Sequence, residues 1–483
     1  MWGEGGECGG ILYLYGHDKY MPMTNSKLNR RNFLRISSIA AAGTIAVPSI
    51  VPSSVFGKNA PGNRIQIGQI GCGRIAHEAD MSGIFPFDSA RIIAACDLDS
   101  KRLNETKLFI EQNYEKRYGG KEVSVRLYDD YREMLMNPAI DAVVISTPDH
   151  WHSQPAIEAA LAGKHIYLQK PTSLTIAEGR KLSDMVHRSG VIFQIGSQQR
   201  SSDQFRFACE LVRNGRIGQL KTIQIGLPGD PAGEEEPEMP VPKNLNYDRW
   251  LGSTPEVYYT EKRVHPQADY SRPGWLRCEQ FGAGMITGWG AHHLDIAHWG
   301  MGTEYSGPVE IEAKADFPTK GLWNVHGSFE VKAKYANGVT MFVSGDRPNG
   351  VRFEGSDGWI FVTRGNYQAT KSDPVTFDAN RKALDASDPK IMTSVIGPDE
   401  IHLPVSTNHY GNWLDSIKSN TQPIAPVEVA HRSCSACLLS HIAMKVPGKL
   451  KWDPVHEHFT NSDEANKLLS RKQRKPYGTE NIK

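Results

Sequence analysis

Two glycines, at 71 and 73, are the residues whose spacing first points to chemistry. Gly71-x-Gly73-x-x-Ala76 follows the alternating run Ile65–Ile70 and opens a helical stretch. In that setting the first glycine makes a tight turn and the second lets a pyrophosphate approach the backbone. The small third residue packs helix on strand, and the helix start favours phosphate charge. Asp97, 24 residues after Gly73, closes the next β-rich run, Ile92–Cys96. An acid there accepts both ribose hydroxyls and repels a 2′-phosphate, so NAD is expected over NADP. Cys434-Ser-Ala-Cys437 has no partner pair at metal-site spacing and reads as two small buried hydrophobes. No histidines stand at H-x-x-x-H or HExxH spacing, so no metal is expected.

The elements that must position the glycine turn alternate between strand and helix. After Asp97 come a polar helix over 100–117, a helix around 129–136 and the buried strand Ala142–Ile145. A helix over 154–162 stops at Gly163, strand 165–169 follows, and a helix over 175–189 stops at Gly190 before strand 191–195. This alternation predicts an α/β fold with a doubly wound parallel sheet covered on both faces. Beyond Gly196 the texture changes to strand-like segments at 219–227, 309–317, 325–335, 338–344 and 351–363. They are linked by turns such as Asn337-Gly338 and Asp357-Gly358. A second, α+β domain with a large, mostly antiparallel sheet is expected over 197–450, after a nucleotide-binding domain over 58–196. A surface-wrapping tail is expected over 451–483.

Composition narrows the functional class. The 483 residues carry 55 Lys+Arg against 54 Asp+Glu, a net charge of +1 without a long basic block, which argues against a nucleic-acid partner. Seven cysteines are too sparse for a disulfide scaffold. Residues 1–57 read as a leader. Arg30-Arg31 with Phe33 and Leu34 resembles the twin-arginine motif, and the uncharged stretch 36–56 follows it. Residues 1–22 precede the charged region, so Met21 or Met23 is a candidate start. Pro48 and Pro52 make the stretch a poor membrane span. Export of the folded protein to the periplasm is therefore expected. An exported enzyme has no soluble NAD pool to draw on, so the cofactor is expected to be tightly bound.

Three further segments carry a family resemblance. Ala162-Gly163-Lys164-His165-Ile166-Tyr167-Leu168-Gln169-Lys170-Pro171 resembles the "AGKHVxxEKP" signature of the Gfo/Idh/MocA oxidoreductases. Thr147-Pro148-Asp149-His150-Trp151-His152 resembles the family's "TPxxxH" turn, and Gly284–Asp295 its "GGxxxDxGxHxxD" signature. Trp250-Leu251-Gly252 and Lys451-Trp452-Asp453-Pro454 extend the likeness along the chain.

The resemblance implies a Rossmann domain carrying NAD, a second domain whose sheet covers the nicotinamide, and oxidation or reduction of a secondary alcohol on a sugar, cyclitol or glycoside. It places Gly71, Gly73, Arg74, Ile75, Asp97, Thr147, Pro148, His152, Gln169, Lys170 and Gln198 against the cofactor. Lys170 would hold the substrate hydroxyl and steady the alkoxide, and His292 would be the general base, with His293 beside it as the competing choice. Arg200, Arg263, His265, Trp275, His293 and Asp295 are the expected substrate contacts, in a region where aromatics and planar polar groups suit a glycoside. A homodimer or homotetramer through the open face of the second sheet is also implied.

Two positions depart from the family pattern. The signature glutamate is Gln169, and the aspartate four residues before the histidine is Gly288. His293, Asp149 or a water is left to complete the proton relay. Besides the oxidoreductase, two other functions remain in view. One is an NAD-dependent glycoside hydrolase working by oxidation, elimination, hydration and re-reduction. The other is a cofactor-bearing binding protein without activity.

Overall fold

The computed structural model describes residues 63–120, 124–365 and 382–482. The expected export leader, 1–57, lies outside the described residues. The first sheet has six parallel strands: β1 (Ile65–Ile70), β2 (Ala90–Cys96), β3 (Arg126–Tyr128), β4 (Ala142–Ile145), β5 (His165–Leu168) and β6 (Phe193–Ile195). Their order is β3-β2-β1-β4-β5-β6, so the chain reverses direction across the sheet between β1 and β4. A doubly wound sheet binds ligands outside the strand ends at that switch point. β4 is buried along its whole length, which is why it reads as an unbroken apolar run. Helix Ser100–Tyr118 starts where the Asp99 side chain accepts from the amides of Lys101 and Arg102. Helix Ile176–Ser189 starts at a capping box of Thr175 and Glu178.

The second sheet has nine strands: β7 (Leu220–Gly226), β8 (Glu310–Ala315), β9 (Phe329–Lys334), β10 (Thr340–Ser344), β11 (Gly350–Gly355), β12 (Trp359–Val362), β13 (Leu384–Ala386), β14 (Leu450–Asp453) and β15 (His458–Phe459). Their order is β13-β12-β11-β7-β10-β9-β8-β14-β15, and the pairings are antiparallel except that of β7 with β10. In β9 Phe329, Val331 and Ala333 are buried while Glu330, Lys332 and Lys334 are exposed. One face therefore packs against helices Asp203–Arg213, Gly290–Met301 and Val427–Lys445, and the other carries the charged residues of β9 beside the half-buried Phe342, Trp359 and Phe361. A continuous apolar core, including Ile145, Phe193, Val331, Phe353 and Leu439, joins the two layers.

Two expected boundaries shift. Helix His409–Ser419 returns to the first sheet, where Tyr410, Trp413 and Leu414 pack with Ile67, Ile92 and Tyr167. The expected tail from 451 begins inside β14, because Leu450 and Trp452 are buried and pair this strand with β8 and β15. Among the described residues no helix is long and apolar enough to cross a membrane. Nor does any group of three His, Cys, Asp or Glu side chains among them suit a metal ion. Cys434 and Cys437 are buried free thiols, both pushed up by burial.

Candidate active site

A cleft opens above the ends of β1, β2 and β4. Gly71 sits at its floor with φ of 84°, and a Cβ there would lie 2.8 Å from the Ser146 backbone. Both the turn and this close approach require glycine. Nothing lies within 4 Å of where a Gly73 Cβ would stand, so the second glycine leaves open room beside the backbone. Ala76 is fully buried, as a residue packing helix on strand must be. The Asp97 carboxylate accepts the amides of Cys72 at 2.6 Å and Asp99 at 2.8 Å, which fixes it in the cleft wall at the end of β2. Arg74, Ile75, Thr147 and Pro148 line the same cleft. A glycine floor, open space at Gly73 and a fixed acid beyond fit a dinucleotide.

At the other end stands Lys170, joined to Pro171 by a cis peptide. Its Nζ donates to the Gly288 carbonyl at 2.8 Å. The residue that replaces the signature aspartate thus holds Lys170 through its main chain. A Cβ at Gly288 would stand 3.5 Å from Leu276, in ordinary van der Waals contact, so the position could carry a side chain without a clash at its first atom. His292 lies in the cavity wall, and its buried Nδ1 has no hydrogen-bond partner among the described residues. Burial, followed by the charges of Arg364 and Lys170, lowers its pKa well below that of a free imidazole, so the ring is neutral. His293 is fully buried away from the wall, bonding Asn349 Oδ1 at 2.9 Å and Gln199 Nε2 at 3.4 Å. Of the two neighbours, His292 is the one that faces the cavity.

Asp149 supplies an acid in the wall of the same cavity. It lines the cavity, and its buried Oδ2 has no hydrogen-bond partner among the described residues. Burial pushes its carboxyl up to about 8 against the opposing charge of Lys170. The carboxyl is therefore largely protonated at neutral pH. Between 3.8 and about 8 the folded chain holds a proton that the unfolded chain has lost. Stability without added cofactor should thus fall as pH rises across this range, with a slope of about one proton per chain from this group. Urea unfolding at about pH 5 and about pH 7.5 should show Asp149→Asn losing that part of the slope. An unchanged slope would show that Asp149 ionises normally.

Several expected contacts take other roles. Arg200 and Asp295 form a two-pronged buried ion pair at 2.7 and 2.9 Å, joined by Glu304 and Ser433. Both are almost fully buried outside the cleft wall, so they brace helix Gly290–Met301 rather than meet substrate. Breaking such a pair from one side leaves a buried charge, so Arg200→Met should cost about 3–5 kcal/mol in chemical denaturation. Loss of less than ~1 kcal/mol would count against a bracing role. Arg263 is turned onto the Tyr258 ring and carbonyl, outside the cleft wall. His265 bonds Asp99 at 3.0 Å, which places it at the Asp97 end of the cleft rather than beside Lys170. His152 lines the cleft, but its ring nitrogens meet the carbonyls of Pro171 and Thr147 at 2.5 and 2.9 Å, tying the β4 turn to the lysine loop. Trp275 and Gln198 stay in the wall. Two wall residues carry no local sequence signal: Trp289, and Arg364, whose guanidinium lies 4.5 Å from the Trp289 ring centre. Seventy-two positions separate Arg364 from His292, and only the return of β12 brings them together.

Comparison with known proteins matches residues 65–197 to an oxidoreductase family with an NAD-binding Rossmann fold. Residues 232–394 and 398–479 match that family's C-terminal alpha/beta domain. The chain belongs to the Gfo/Idh/MocA oxidoreductase family.

It is 24% identical over 320 residues to uncharacterized oxidoreductase YrbE of Bacillus subtilis, covering 66% of this chain and 77% of that protein. A glycosyl hydrolase family 109 protein of Shewanella pealeana is 29% identical over 40% of this chain and 44% of its own length. Myo-inositol 2-dehydrogenase of Thermotoga maritima is 31% identical over 33% of this chain and 44% of its own. These last two matches thus span less than half of those relatives. In fold, the chain resembles aldose-aldose oxidoreductase from Caulobacter crescentus, with a TM-score of 0.55 at 19% identity over 80% of this chain and 99% of that one. It likewise resembles the WlbA dehydrogenase of Bordetella pertussis in complex with NADH and UDP-GlcNAcA. That likeness has a TM-score of 0.55 at 16% identity, over 81% of this chain and 99% of that one.

For this Gfo/Idh/MocA protein the open room at Gly73 makes a specific prediction. Gly73→Ala adds a methyl that meets no protein atom, so the melting temperature should hold. The methyl fills the space a pyrophosphate needs, and NAD affinity by calorimetry should fall at least about tenfold. Unchanged affinity would place the cofactor elsewhere.

Proposed function

We propose that the chain is an NAD-dependent oxidoreductase that moves a hydride between a secondary hydroxyl of a sugar, glycoside or cyclitol and a tightly held NAD. The observation that carries this reading is a single cavity running from the Gly71–Gly73 floor to Lys170 and His292. The cofactor, when bound, supplies the hydride acceptor and donor. Asp97 at the end of β2 supports NAD over NADP. Lys170 holds the reacting hydroxyl and offsets charge on the developing alkoxide. His292, kept neutral by burial, accepts the hydroxyl proton. Trp275 gives the wall a flat apolar face of the kind that stacks on sugar rings.

The leader motif at Arg30-Arg31 supports export of the folded, cofactor-loaded enzyme to the periplasm. The outer face of the nine-stranded sheet, where Phe342, Trp359 and Phe361 are half-buried, is the surface we assign to a homodimer or homotetramer.

A second reading is glycoside hydrolysis without net redox change. Two observations favour it: the family 109 relative, and the protonated Asp149 in the cavity. Oxidation of a ring hydroxyl would acidify the neighbouring C–H; a base in the cavity takes that proton as the C–O bond to the aglycone breaks and Asp149 protonates the leaving oxygen. Water then adds across the alkene, its hydroxyl to the former aglycone carbon as its proton returns to Asp149 and the base returns its proton to the neighbouring carbon, and the ketone regains the hydride first removed. The test is to denature the purified protein and measure released NAD(H) by absorbance. Native protein is then incubated with a panel of glycosides and cyclitols while NADH and free sugar are followed. A keto product supports the oxidoreductase, and free aglycone without net NADH supports the hydrolase. Absence of both, with no bound NAD(H), sinks both readings and favours a binding protein.

A further inference from the structure

The signature glutamate is missing at 169, yet a carboxylate lies directly beside the side chain that replaces it. Gln169 Nε2 donates to Asp80 Oδ1 at 2.7 Å, and the Tyr410 hydroxyl donates to the same oxygen at 2.9 Å. The Ser146 hydroxyl donates to Oδ2 at 2.6 Å. Ser146 receives its own hydrogen bond from Gln69 Nε2 at 3.0 Å, and that amide also reaches the Gly71 carbonyl at 2.9 Å. Asp80 is fully buried beneath the cleft wall, with three donors converging on it. Burial pushes the Asp80 carboxyl up to about 6, and the three donors with Lys170 offset that rise, so the group is ionised at neutral pH. Asp80 closes a π-helical turn, Ala76–Asp80, that follows the glycine cradle. The wider turn carries one residue more than an α-helical turn and sets Asp80 inward under β4 and β5.

We propose that Asp80 supplies, from a different element, the carboxylate that the family signature carries at residue 169, and that it acts through Gln169 as a positioning residue for Lys170. The inference rests on the reading above that Lys170 holds the reacting hydroxyl. Asp80 is an electrostatic partner of Lys170, and the amide that bridges to it is the residue preceding Lys170 in the chain. The titratable groups facing Asp80 are Lys170 at the end of β5 and Tyr410 on helix His409–Ser419. Lys170 also faces Asp149, His152 and His292, none of which the test below alters. The hydrogen bonds through Ser146 and Gln69 extend the same network to the glycine turn, so one buried acid braces both ends of the cleft.

The charge swap Asp80→Asn with Gln169→Glu tests this. The readout is the titration of Lys170 Nζ in the purified protein, by competitive acetylation with acetic anhydride across pH and peptide mass spectrometry. It needs no substrate, so a failure of the inference shows independently of whether Lys170→Met affects turnover. Asp80→Asn should lower the Lys170 midpoint by about one pH unit, because the ammonium loses a nearby carboxylate. Turnover on whichever panel substrate is active should fall about tenfold, in kcat rather than KM. Adding Gln169→Glu returns a carboxylate to the pair and should restore both the midpoint and kcat. Gln169→Glu alone sets two acids face to face and should lower the melting temperature. If Asp80→Asn does not fold, the double variant decides alone. An unmoved midpoint in Asp80→Asn overturns the proposal. So does a double variant that fails to fold or fails to recover the midpoint.

Discussion

Lys170→Met should lower kcat about 100- to 1000-fold while leaving bound NAD and the melting temperature nearly unchanged. Methionine keeps the length and apolar stem of the side chain, so the variant isolates the ammonium. In the cavity that ammonium is anchored on the Gly288 carbonyl and faces Asp149, whose buried Oδ2 has no hydrogen-bond partner among the described residues. A cation fixed in a water-poor site acts on a developing alkoxide with little screening, which is why one such donor carries several kcal/mol. The variant should also raise the Asp149 pKa further, because the opposing charge is gone. Single-turnover absorbance of the bound nicotinamide, set against NAD content after denaturation, makes the measurement. Retention of full kcat would remove Lys170 from the mechanism and leave it a structural clamp on Gly288.

His292→Asn should lower kcat by about 100- to 10,000-fold, the range lost with a positioned general base. The pH profile carries the sharper information. Burial first, then Arg364 and Lys170, hold the imidazole well below its free value of 6.5. A base whose pKa is lowered stays deprotonated over a wider range. The acid limb of kcat/KM should therefore lie below the ordinary histidine region, and activity should persist as pH falls through about 6. His293→Asn provides the contrast. That ring is fully buried and bonded at both nitrogens, so the change should cost stability and leave the profile in place. An acid limb centred near 6.5 would remove His292 as the base, and a profile moved by His293→Asn but not His292→Asn would reverse the assignment.

Features that depend on neighbours along the chain are set by local sequence. The Gly71–Gly73 turn, Asp97 at the end of β2, the strand–helix alternation and the Lys170 loop all lie within single strand–turn–helix units. There, local periodicity and one or two special residues decide the conformation. Likewise the polar and apolar alternation of β9 marked a sheet with one covered face. The family signatures named Lys170 and the histidine pair, and their departures at Gln169 and Gly288 were legible as letters.

What those departures mean was decided by the tertiary structure. Asp80 is 89 residues from Gln169 and 330 from Tyr410, and only the stacking of β1, β4 and β5 with the returning helix His409–Ser419 brings the three together. The choice between His292 and His293 also lay beyond the sequence, because adjacent helical residues point about 100° apart and the packing selects which one meets the cavity. Arg200 and Asp295 resembled substrate contacts because exposed and buried ion pairs use the same residue types. Their burial beneath helix Gly290–Met301 turned a binding pair into a brace. In each case side chains distant in the chain had to be desolvated together before their partners could be known. That desolvation is a property of the packed fold rather than of any local stretch of sequence.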